Sequence, residues 1–116
     1  FYMYEIGGQF RFIPWDKDSS FADAEHSIWE NSDENALTVR LFSSSAGTNQ
    51  YKAMLRDIVA ETVNADWLLP KIDHIAEMVR DVALEDPLFD DFDGQVERLR
   101  RFARDREASV LLQIQR

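Results

Sequence analysis

Three consecutive stretches between Asn49 and Glu107 repeat apolar residues at the spacing of a helix face, and they commit half of the chain to helix. In the first, from about Asn49 to Asn64, Tyr51, Met54, Leu55, Ile58, Val59 and Val63 form one stripe. The second runs from about Asp66, a plausible cap, to Leu84 and carries Leu68, Ile72, Ile75, Val79 and Val82; Pro70 is tolerable only near its first turn, and Pro87 ends it. The third, from about Asp90 to Glu107, presents Phe92, Val96, Leu99, Phe102 and Ala103.

The flanking segments read as strands. Gly7 and Gly8 interrupt two short runs rich in aromatic and β-branched residues, the pattern of a hairpin. A three-residue loop of Gly7, Gly8 and Gln9 pairs Ile6 with Phe10 and Tyr4 with Phe12, which gathers the apolar residues on one face and sets Glu5 opposite Arg11. Asp16 to Asn35 is polar and acidic, with a short helix opened by Ser20 and a capping-box acid at Asp23. Ala36 to Phe42 reads as a central strand, Ser43 to Thr48 as a turn, and Ser109 to Gln115, where Val110, Leu112 and Ile114 alternate with Leu111 and Gln113, as a final strand. The expected fold is therefore a single α+β domain over residues 1–116. A small antiparallel or mixed sheet, made of the N-terminal hairpin, the central strand and the C-terminal strand, is covered on one face by three helices.

A chain of 116 residues with 45% hydrophobic content can bury one core despite its net charge of −9. It holds no cysteine, so disulfides, thiolate metal sites and thiol nucleophiles are excluded. No apolar run approaches the ~20 residues of a membrane span and the N-terminus lacks the order of a signal peptide, so the expected location is the cytoplasm. Met3 marks a candidate native start, with Phe1 and Tyr2 as added residues.

Charge is unevenly spread. Residues 1–97 carry 20 Asp plus Glu against 7 Lys plus Arg, whereas residues 98–116 carry 2 acids against 6 arginines. Part of that split is helix electrostatics, because Asp90, Asp91 and Asp93 would open the third helix and Arg100, Arg101, Arg104 and Arg106 lie toward its end. The excess acid elsewhere is not explained that way. The field of an acidic body favours a cationic partner.

The candidates for chemistry each meet an ordinary explanation. The run Asp86, Asp90, Asp91, Asp93 before Gly94 suggests a calcium loop, but with Gly94 at the sixth position the first ligand position falls on Phe89 and the twelfth on Arg100, so helix capping is the better reading. The loop Ser43 to Thr48 has neither the second glycine nor the Lys-Ser/Thr pair of a phosphate-binding loop, and a cap by Thr48 or Asn49 accounts for it. His74 adjoins Asp73 and precedes Glu77 by three, yet no nucleophile accompanies it and HExxH zinc spacing is absent. The N-terminal aromatics Tyr2, Tyr4, Phe10, Phe12 and Trp15 lack the positive groove of a base-stacking platform, having only Arg11 and Lys17 nearby.

No catalytic residue, metal site or cofactor is therefore assigned. The expectation is a non-enzymatic acidic interaction protein, an inhibitor, immunity protein or adaptor. It would dock Asp16, Asp18, Asp23, Glu25, Glu30, Asp33 and Glu34 on a basic protein surface, including one that normally holds nucleic acid. Direct binding to nucleic acid or membrane is not expected. Arg98, Arg100, Arg101 and Arg104 form a second surface, through which a self-associating assembly subunit is the alternative. A small enzyme using His74 and carboxylates ranks third.

Overall fold

A computed structural model describes residues 2–14, 17, 19–88 and 90–115. Six elements follow one another: β1 (Tyr2–Ile6), β2 (Gln9–Ile13), α1 (Ala36–Phe42), α2 (Ser45–Glu61), α3 (Ala65–Glu85) and α4 (Phe92–Gln115). The two strands form an antiparallel hairpin, the one sheet among the described residues. The sheet of hairpin, central strand and C-terminal strand is thus overturned, and four helices stand where three were expected.

The central strand is α1. Thr38 and Val39 favour a strand locally, but Asn35 caps the segment by accepting the Leu37 N–H at 2.8 Å, and the Thr38 hydroxyl donates back to the Asn35 carbonyl. Tertiary packing then decides. Phe42 meets Trp29 and Tyr51 with ring centroids 5.3 and 5.1 Å away, a contact that the helical turn delivers.

Ser44 starts α2 immediately, its hydroxyl accepting the Gly47 N–H, so the segment read as a turn is a joint between two helices. A Cβ at Gly47 would collide with the Leu41 carbonyl oxygen, which is why glycine stands where the end of α1 crosses the start of α2.

The C-terminal strand is the last two turns of α4. Its residues alternate, yet Val110 and Ile114, four apart, are buried while Leu112 is exposed, so the helical period wins. Val110 and Ile114 join Val59 of α2 in the core, packed by Ile28, Leu55, Val63 and Leu111. α4 is the spine of the body, against which both α2 and α3 pack. Asp91 opens it, accepting the Gly94 N–H at 3.2 Å.

The stretch expected to hold a helix at Ser20 is a series of turns laid along α4. The Arg106 guanidinium donates to the carbonyls of Ala24 and His26 at 2.8 and 2.7 Å. Gln113 accepts the Ile28 N–H at 2.9 Å, and the Tyr51 hydroxyl donates to the Ile28 carbonyl at 2.7 Å. Phe21 sets its ring edge-to-face on Phe102, 5.2 Å between centroids. Backbone groups of a loop are thereby satisfied by side chains from a helix more than 80 residues away in sequence.

The hairpin differs from the predicted register. Gly7 and Gly8 both have positive φ, 60° and 76°, and form a two-residue loop, so Ile6 faces Gln9, Glu5 faces Phe10, Tyr4 faces Arg11 and Met3 faces Phe12. Two consecutive left-handed residues match the twist of a tight hairpin, which a longer loop would not need. The apolar residues are consequently split between the faces: Tyr4, Ile6 and Ile13 on one, Met3, Phe10 and Phe12 on the other. All of them are exposed. The radius of gyration, 17.4 Å, exceeds the roughly 13 Å of a compact chain of this length.

Candidate functional site

The acidic stretch is solvated. Asp23, Glu25, Glu30, Asp33 and Glu34 are all exposed; Asp23 accepts the Glu25 N–H within its own turn, and Glu30 lies 2.8 Å from the His26 imidazole. Asp16 and Asp18, expected to share that surface, fall outside the described residues, as do Trp15 and Phe89.

The arginine surface is largely spent on the molecule itself. Arg98 reaches Asp91 at 3.5 Å, Arg100 bonds Asp73 at 2.7 Å and lies 3.5 Å from Glu97, and Arg104 bonds Glu97 at 3.0 Å. Among the described residues, Arg101 is the one of the four without an ion pair or side-chain hydrogen bond. The hydrogen bond from Arg104, then its charge and the contribution of Arg100, hold the Glu97 carboxyl below its usual range against a weaker desolvation. The hydrogen bond to Asp73 raises Arg100 in the same way. These arginines tie α4 to α3 and brace α4 itself.

Arg106 is different. Burial lowers its guanidinium from the ordinary value, opposed by the charges of Asp23 and Tyr51, and burial raises the Tyr51 phenol, opposed by Arg106. It remains a cation, held at the loop it clamps.

The other candidates resolve into structure. Asp73 is turned to Arg100 and does not hold His74, which is exposed on α3. Asp86 accepts the Leu88 N–H, Asp91 caps α4, and Asp93 pairs with Arg80 at 2.9 Å. Among the described residues no group of three or more His, Cys, Asp or Glu is placed to hold a metal. Among the described residues no helix is long and apolar enough to cross a membrane.

One concave feature was not foreseen. An apolar groove of about 390 Å³ runs between α3 and α4, lined by Ile72, Ile75, Val79 and Leu99 together with Phe21 and Trp67. The Lys71 ammonium sits 4.3 Å from the centre of the Trp67 ring at its rim. The stripe on α3 was legible, but its role was not: of its members only Leu68 is buried, and Val82 is 74% exposed. The α4-to-loop clamp of Arg106 and Gln113 left no signal in the sequence, since its acceptors and donors are backbone groups.

Against this geometry, the chain matches the model of the family described as CotH kinase protein over residues 1–110. The chain belongs to the CotH kinase protein family. No curated protein and no solved structure matches it. The CotH description names kinases, which pulls against the expectation of a non-enzyme. A kinase needs carboxylates for the metal ions that accompany a nucleotide, together with groups that grip its phosphates. The described residues of this CotH-family chain do not assemble that set. Their acids are dispersed, the serine-rich segment is the α1–α2 joint, and three of the four arginines are paired internally.

Proposed function

We propose that this chain is part of a phosphoryl-transfer enzyme of the CotH kinase family. The observation that carries the reading is the family match over residues 1–110. Within the chain, the pair Asp16 and Asp18 is offered as the metal-facing carboxylates. They follow directly on β2, whereas Asp73, Asp91, Asp93 and Glu97 are engaged by arginines, and Asp86 by a turn. Lys17 lies between them in the sequence. Further along the chain, the loop from Ala24 to Ile28 is pinned to α4 by Arg106 and Gln113.

The test is transfer of labelled phosphate from Mg-ATP by the purified gene product, to itself or to a panel of proteins. Transfer that falls on the order of a hundredfold in Asp16→Asn and Asp18→Asn, with helical content retained, supports the reading. No transfer by the intact protein, or equal transfer by the variants, sinks it.

A second reading keeps the acidic surface as a docking face for a basic protein, since Asp23, Glu25, Asp33 and Glu34 are exposed and make no ion pair among the described residues. Such a complex weakens as salt rises, and salt-independent binding would count against it. The two readings are compatible if the basic protein is the substrate.

A further inference from the structure

α3 carries two apolar rows, and its packing on α4 uses one of them. Leu68, Ile72 and Ala76, spaced four apart, are buried or half-buried and line the seam with α4. The second row, Lys71, Ile75, Met78, Val82 and Glu85, steps by four, three, four and three along the same helix. Its three apolar members are between 56% and 74% exposed. That stepping is the seam of a two-helix coil, and α3 offers about 30 Å of it.

The charges on this side of α3 run in an order. Lys71 and His74 stand in the N-terminal half and Asp81 and Glu85 in the C-terminal half, with Met78 midway, seven residues from Lys71 and seven from Glu85. All four are exposed, and among the described residues none of them makes an ion pair. By contrast, Asp73 and Arg80 of the same helix pair with Arg100 and Asp93 of α4. The field of the helix does not account for the order. A macrodipole favours bases at the end, yet the last turn of α3 holds Glu85 and no base.

Turned end for end, the row is its own complement. We infer that two copies of this chain pair through α3, antiparallel about a two-fold axis at Met78. Ile75, Met78 and Val82 of each copy cover the same row of the other, Lys71 meets Glu85 of the partner subunit, and His74 faces Asp81 of the partner subunit. A two-fold contact presents one patch twice, so a single self-complementary row suffices, and a second copy necessarily carries the matching order of charge. The net charge of −9 opposes the approach of two copies, but that repulsion is screened beyond about 8 Å at physiological salt, whereas the charge pairs act at contact. The pairing stands apart from the phosphotransfer reading.

Sedimentation of the purified gene product over about a hundredfold range of concentration should show a monomer–dimer equilibrium. Lys71→Glu or Glu85→Lys alone sets like charges together at both ends of the seam and should weaken the dimer on the order of tenfold; the double variant restores both pairs in reverse and should recover it. Both positions are exposed, and retained helical content shows that the fold is kept. Met78→Cys treated with a short bis-maleimide should give a dimer whose linkage, mapped by mass spectrometry, joins position 78 to itself. A monomer at every concentration, a dimer indifferent to both charge reversals, a double variant no better than the single ones, or no linkage at position 78 overturns the inference.

Discussion

The helical body and the hairpin use the same kinds of apolar residue to opposite ends. In the body, Val59, Val110 and Ile114 come from two helices, meet at a core and are almost fully buried. In the hairpin, Tyr4, Ile6 and Phe10 are held in a well-defined register and remain in water. Apolar content therefore does not tell a buried core from an exposed pair of strands. The difference lies in whether another element of the same chain arrives at the right distance, and for α4 two do.

The comparison breaks if a core truncation is mild. Ile114→Ala should cost about 2–5 kcal/mol in denaturant unfolding of the 116-residue chain, because the side chain is 2% exposed at the junction of α2 and α4. A loss below 1 kcal/mol would mean that α2 and α4 are not held as described. Next in size, Arg106→Leu should cost about 1.5–3 kcal/mol by removing the charged donor shared by the Ala24 and His26 carbonyls, and amide exchange should quicken around Ile28 before it does in α2. Uniform quickening would show that the clamp is not local. Gly8→Ala forces a side chain into φ of 76° and should loosen the hairpin by about 1–2 kcal/mol, seen as lost cross-strand contacts between Glu5 and Phe10 by NMR, with α4 unchanged.

Two smaller effects sharpen the contrast. Phe10→Ala should shift the stability of the 116-residue chain by no more than about 0.5 kcal/mol, the behaviour of a surface residue, even though phenylalanine is among the largest apolar side chains. A core-sized loss would show that the hairpin is already covered. Finally, the Glu97 carboxyl is held low chiefly by Arg104, so its ion pairs act above the ordinary carboxylate range and are lost as pH falls through the depressed folded value. In Arg104→Gln the Glu97 titration, followed by carboxyl NMR, should move up toward ordinary; an unmoved titration would assign the shift to another group.

The three long helices were legible because the apolar period persists along many residues, but their caps were not: Ser44 and not Thr48 or Asn49 caps α2, Asn64 and not Asp66 caps α3, and α4 runs past Glu107 to Gln115. Ala36 to Phe42 and Ser109 to Gln115 were misread for a shared reason. Each is a short run of β-branched and aliphatic residues, and what makes it helical lies elsewhere: the Trp29 and Tyr51 rings for the first, Val59 for the second. The hairpin was visible in Gly7 and Gly8, but its register was chosen to give a single apolar face, a preference that holds only for a sheet with one side in water. The arginine cluster was visible as charge, whereas its partners Asp73 and Asp91 depend on how α3, α4 and the turn between them come together.

The loop from Ala24 to Ile28 is held through its own carbonyls and one N–H, gripped by Arg106, Gln113 and Tyr51. Its path is thereby uncoupled from the identity of Ala24, Glu25 and His26, whose side chains take no part in those bonds. Exchanging acid for base or polar for apolar at those three positions changes the surface the stretch presents, while three residues on the helices keep its course.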